Sequence, residues 1–195
     1  MASATTLDPS PHVVPDVPAT ASPAPPFEVV YEAEFAFVWR NLRRLGVPEA
    51  GLRDATQDVF LVVLRRLPEF EGRAPLRSWL YSIVARVARQ HRRTRKRRDL
   101  GVTEDAYQVV DRESFSPQHR AEDREALRLL LELLDRLDDE KREAFILSDL
   151  EGMTAPEIAQ ALGVNLNTVY SRVRAARLEL RAALAARAAD GRKLP

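Results

Sequence analysis

Between Asn165 and Arg177 the chain reads NLNTVYSRVRAAR, a run of amides, hydroxyls and guanidinium groups without a carboxylate. At 100° per residue, Leu166, Val169, Val173 and Ala176 gather on one side of a helix. Asn167, Ser171 and Arg174 fall on the other side, flanked by Thr168 and Tyr170. Asn bonds adenine and Arg bonds guanine bidentately through base edges in the major groove. Arg172 and Arg177 lie nearer the sides of the helix, where phosphates would be. The expected contact set is Asn165, Asn167, Thr168, Tyr170, Ser171, Arg172, Arg174 and Arg177. A helical hairpin with a solvated polar face is the competing reading. The acid-free run from Ile158 to Leu178 favours DNA, because an indifferent surface usually mixes signs.

A second stretch carries the same chemistry. From Arg86 to Arg98 there are eight Lys/Arg and no acid. In isolation it could be a solvated face or a tail. It follows FEGRAPLRSWLYSIVAR, however, where Phe70, Trp79 and Tyr81 lie beside a glycine-containing loop. Aromatics beside a basic groove are the parts needed to hold unstacked bases of a single strand. Trp79 is expected to face the core, which leaves Phe70 and its loop as candidates for base contact.

Elements that would position these groups are legible from caps and periods. Thr154 and Glu157 have the spacing of a capping box, and Pro156 sits in a first helical turn where its missing N–H is harmless. Gly163 supplies a left-handed chain reversal, and Asn165 is a good N-cap for the next helix. A short helix, a tight turn and a second helix make a helix-turn-helix. Upstream, Phe35, Val38, Leu42 and Leu45 form one helical stripe ended by Gly46. Leu52, Ala55, Val59, Val63 and Leu67 form a second, opened by Pro48 and stopped by Pro68. Leu76, Leu80, Ile83 and Val87 form a third, opened by Pro75. Helical spacing returns at Leu127, Leu130, Leu131 and Leu134. Asp138 is expected to cap a helix carrying Phe145, Leu147 and Leu150.

Composition bounds the rest. The 195 residues include no cysteine and three dispersed histidines, His12, His91 and His119, which argues against disulfides, thiol chemistry and a metal cluster. No nucleophile–base pair or phosphate-cradling loop appears, so neither catalysis, a cofactor nor a small-molecule substrate is expected. No apolar run reaches the roughly 18 residues of a membrane span, and no secretory signal is visible. A cytoplasmic chain without membrane insertion is expected. The net charge of +1 hides a segregation of signs. Acids dominate from Glu104 to Glu143, between the two basic stretches, which suggests two separate anion-binding surfaces.

Three segments together resemble bacterial RNA polymerase sigma subunits of the sigma-70 family. They are DATQDVFLVVLRRLPEFEG, PLRSWLYSIVARVARQHRR and LDDEKREAFILSDLEGMTAPEIAQALGVNLNTVYSRVRAARLELR. The length resembles the extracytoplasmic-function group, which keeps two domains, sigma-2 and sigma-4. The resemblance implies an all-α fold: a sigma-2-like helix bundle and a sigma-4-like helix-turn-helix domain joined by a flexible linker. The corresponding division is a disordered Pro-rich arm over 1–26, a first domain over 27–98, a linker over 99–121, a second domain over 122–187 and a tail over 188–195. It further implies core polymerase docking through Asp54, Gln57, Asp58 and Leu61. Capture of the −10 element would fall to Phe70, Gly72, Arg73, Arg77, Arg86, Arg89, Arg92 and Arg93, and the −35 element to the helix described above. The linker would run through the RNA exit path of the polymerase. Implied partners are core RNA polymerase, promoter DNA and an anti-sigma factor. Two positions depart from the family pattern: Tyr170, where Lys or Arg is frequent, and Asp138, where proline is frequent.

Overall fold

A computed structural model describes residues 24–98 and 117–189. Among these the secondary structure is entirely helical. The first group comprises α1 (Phe27–Arg44), α2 (Glu49–Arg66), a 3-10 turn (Leu67–Glu69) and α3 (Leu76–Arg98). The second comprises α4 (Pro117–Asp135), α5 (Asp139–Phe145), a π turn (Ile146–Leu150), α6 (Ala155–Leu162) and α7 (Leu166–Ala189). Residues 1–23, most of the expected linker, and the end of the tail lie outside the described residues. Helix α4 begins at Pro117, within the stretch expected to be linker.

The first group buries one stripe from each helix. Val38 and Leu42 of α1, Leu52, Ala55, Val59 and Val63 of α2, and Leu80 and Val84 of α3 are all closed to solvent. Removing a side chain such as Leu80 (Leu80→Ala) would cost about 2–5 kcal/mol, the loss of transfer energy plus an unfilled cavity. One member of the expected α1 stripe is misplaced. Phe35 is exposed and stacks on Phe60 and Trp39, with ring centroids 6.2 Å apart in each pair. Phe37, two positions on, takes the core place. Pro48 is the N-cap of α2 and not its first helical residue.

Gly46 ends α1 with φ of +81°. A Cβ there would lie 2.9 Å from a guanidinium nitrogen of Arg142, so any other residue is strained by the left-handed backbone and must displace the tip of that side chain. Arg142 is buried and caps the second group from within. Its Nε donates to the Leu134 carbonyl at 2.8 Å and one amino group donates to Leu137 O at 3.2 Å, satisfying the last carbonyls before α5. Its other amino group reaches Leu45 O of the first group at 3.4 Å. Asp138 caps α5 by accepting from the Lys141 backbone N–H at 2.9 Å.

Candidate nucleic-acid interface

The helix-turn-helix is assembled by local bonds. The Glu157 carboxylate accepts from the backbone N–H and the hydroxyl of Thr154, each at 2.7 Å, and closes the capping box of α6. Those two donors hold the Glu157 carboxyl below its ordinary range. Gly163 turns the chain with φ 67° and ψ 36°. Asn165 Oδ1 then accepts from the Thr168 backbone N–H at 2.8 Å and from its hydroxyl at 3.0 Å, capping α7. The cap therefore occupies the Asn165 oxygen and the Thr168 hydroxyl, two groups expected to be available for DNA.

Val169, Val173 and Ala176 of α7 are buried, and Asn167, Tyr170, Ser171 and Arg174 are exposed. Leu166 departs from the expected stripe, because it is 43% exposed. As the first residue of the helix it has no preceding turn to cover it. Tyr170 stands well into solvent, at 62% exposed.

The arginines of α7 divide by their surroundings. Arg174 has no acid partner among the described residues. Arg177 is clamped by Asp149 of the π turn, with Nε to Oδ1 at 3.0 Å and an amino group to Oδ2 at 3.1 Å. Arg172 pairs with Glu140 of α5 at 2.5 Å. The segment is free of acids in sequence, but tertiary neighbours supply them to the two flanking arginines and leave the central one open.

The α3 cluster splits in the same way. Arg86 and Arg93 are exposed and, with Gln90, Thr94 and Arg89, line a basic cleft. Arg89 is held by Glu143 of α5 through two bonds of 2.8 and 3.2 Å. Arg92 donates to Leu45 O at 2.8 Å and pairs with Asp139. Burial pushes the Glu143 carboxyl above its ordinary range, against the opposing pull of Arg89. Alongside, the Glu151 carboxylate accepts from Arg40 at 3.0 Å, Asn41 at 3.2 Å and Arg44 at 2.5 Å.

The loop before α3 presents Gly72 and Arg73 to solvent. Phe70 is partly covered, with its ring 5.2 Å from Trp79. Arg77 is occupied within the bundle, since it pairs with the buried Glu34 at 3.0 Å and lies 5.4 Å over the Phe37 ring. On α2, Asp54, Gln57 and Leu61 are exposed, and Asp58 Oδ2 accepts from His91 Nε2 at 2.8 Å.

Beside these lies a feature that the sequence reading missed. Phe27, Tyr31, Phe35, Trp39, Phe60, Leu61 and Leu64 form an open apolar groove between α1 and α2. Its signal was present in the spacing of Phe27, Tyr31 and Phe35, one helical turn apart. A contiguous exposed apolar patch of this kind marks a contact surface. The interlocking acids Asp139, Glu143 and Glu151 were also missed, because their partners lie far away in sequence. No helix among the described residues is long and apolar enough to cross a membrane.

Comparison with known proteins places this geometry in context. The Sigma-70 region 2 family matches residues 30–98, and the family described as Sigma-70, region 4 matches residues 127–180. The chain is 36% identical over 146 residues to the RNA polymerase sigma factor NccH of Alcaligenes xylosoxydans xylosoxydans, covering 73% of this chain and 77% of NccH. It is 32% identical over 149 residues to the RNA polymerase sigma factor CnrH of Cupriavidus metallidurans, covering 73% and 78%. The solved structure of CnrH in complex with the cytosolic domain of CnrY superposes with a TM-score of 0.62 at 27% identity, over 82% of this chain and 88% of that one.

Proposed function

Because the chain belongs to the sigma-70 family, in its extracytoplasmic-function group of RNA polymerase sigma factors, we propose that it reads two promoter elements through the two basic faces described above. A sigma factor directs transcription initiation with RNA polymerase and is not itself the catalyst. The finer assignment is a first domain over 27–98 that docks on core polymerase and takes the −10 element. A second domain, over 122–187, takes the −35 element. The observation that carries it is the exposed Asn167–Tyr170–Ser171–Arg174 face, with Arg174 free of acid partners among the described residues, on a helix-turn-helix whose caps are complete.

Asn167 and Arg174 supply bidentate partners for adenine and guanine, and each such pair contributes about 1–3 kcal/mol of discrimination. In the first domain, Arg86 and Arg93 draw the phosphate backbone, and Phe70 with the Gly72–Arg73 loop offers a surface for an unstacked base. Trapping such bases offsets the few kcal/mol that unpairing costs, which is how a protein without an energy source aids melting. Asp54, Gln57, Asp58 and Leu61, beside the aromatic groove, form the docking face for core polymerase. The related CnrH is found in complex with the cytosolic domain of CnrY, and a protein antagonist of that kind, an anti-sigma factor acting in the cytoplasm, is proposed for this chain.

The experiment is reconstitution. Purified core polymerase with this chain is expected to start transcripts at defined promoters, and core polymerase alone is not. Specific operator binding by the chain without polymerase-dependent initiation would favour a conventional helix-turn-helix regulator instead.

A further inference from the structure

The seam between the two helical groups is built of opposite charges from opposite sides. The first group supplies Arg40 and Arg44 of α1 and Arg89 and Arg92 of α3. The second supplies Asp139 and Glu143 of α5 and Glu151 just after the π turn. The Glu143 and Glu151 side chains are only 7% and 5% exposed. Arg89 meets Glu143 with both prongs of its fork, the geometry with which a guanidinium also grips a phosphate. Gln160 of α6 closes the same seam by donating to Arg73 O of the loop at 3.4 Å. In this arrangement Arg86 and Arg93 have no acid partner among the described residues, whereas Arg89 holds the Glu143 carboxylate and Arg92 shares its guanidinium between Asp139 and Leu45 O.

We propose that Asp139 and Glu143 act as an intramolecular stand-in for DNA phosphate, closing the chain on itself and occupying Arg89 and Arg92 until the two helical groups separate. The proposal rests on the assignment of the α3 arginines to promoter DNA. The seam is suited to reversal. A half-buried ion pair gains Coulomb energy but forfeits hydration, so the two nearly offset and a competing polyanion can displace it. The closed form lowers apparent DNA affinity by the fraction of chains that are open. An open fraction of about one tenth weakens binding about tenfold.

The test uses the full chain and a fluorescein-labelled, mixed-sequence single-stranded DNA, read by anisotropy, with small-angle X-ray scattering on the same samples. Glu143→Gln with Asp139→Asn is expected to tighten binding about tenfold and to raise the radius of gyration. Glu32→Gln removes a charge from an exposed position on α1 remote from the seam, and is expected to leave both readings unchanged. Asp139→Asn alone, at a side chain 45% exposed, covers the case in which the double variant fails to fold, and is expected to shift both readings in the same direction. Unchanged affinity and unchanged scattering in the folded variants would overturn the latch. Arg93→Ala separates that failure from failure of the DNA reading, because Arg93 is exposed and makes no ion pair across the seam among the described residues. If Arg93→Ala weakens binding while the acid variants do nothing, the DNA reading stands and the latch falls. Expansion without tighter binding, in a chain indifferent to Arg93→Ala, overturns both.

Discussion

Arg89 of α3 donates to both carboxylate oxygens of Glu143, 54 positions away, at 2.8 and 3.2 Å. An arginine from the longest basic run of the chain is thus neutralised by an acid that packing, not sequence, brings to it. The same relationship recurs between Arg177 and Asp149 and between Arg172 and Glu140. What distinguishes these arginines is which of them the fold leaves without an acid partner among the described residues.

Arg174 is open and points away from the buried Val169 and Val173. Arg174→Ala is expected to cost roughly 1–3 kcal/mol at the preferred upstream sequence and to relax discrimination at one base pair, with little change in salt dependence. Binding to single-base variants at several salt concentrations measures this. An equal loss at every sequence would make Arg174 a phosphate clamp and pass base reading to Asn167 and Ser171.

Arg177 is held by Asp149, so a phosphate contact proposed for it would have to compete with that acid. Asp149→Asn is expected to release it and to steepen the dependence of log affinity on log salt by about one unit, uniformly across sequences. An unaltered slope would show that Arg177 serves the fold alone.

Asp58→Arg is expected to abolish capture of core polymerase while leaving the helical circular dichroism intact. The residue lies on the solvent side of α2, and its only described partner is His91 at 2.8 Å. Unchanged capture would remove this face of α2 from the docking surface.

Asp138→Ala is expected to destabilise the fold by about 1 kcal/mol, the usual worth of an N-cap. The Lys141 ammonium, and then its backbone N–H, hold the Asp138 carboxyl below its ordinary value of 3.8. A depressed carboxyl contributes stability that is complete above the ordinary value and is lost as pH falls through the lowered one. Denaturant midpoints should therefore differ between parent and variant at neutral pH and begin to converge only as the pH falls below about 3.8 toward the lowered value.

Gly46→Ala is expected to cost about 1–2 kcal/mol for a left-handed backbone alone, and more where the new methyl displaces Arg142. Thermal unfolding measures the loss. A melting temperature equal to that of the parent would show that the turn relaxes.

Much of the helix-turn-helix was legible in the sequence because it is made by atoms within four residues of each other. The Thr154–Glu157 box, the Gly163 reversal, the Asn165 cap and the Val169–Val173–Ala176 stripe need no information from elsewhere in the chain. The helices of the first bundle were legible for the same reason, through their period and their prolines. Periodicity was less reliable where two apolar residues competed for one place, as Phe35 and Phe37 did, or at a helix end, as at Leu166. Charge pairing could not be read at all. Arg177 and Asp149 are 28 positions apart, Arg89 and Glu143 are 54, and Arg40 and Glu151 are 111. An acid-free segment of sequence is not an acid-free surface, because Coulomb energy depends on distance through space, and only the packing of α7 against the π turn and of α1 and α3 against the second group brings those partners within reach.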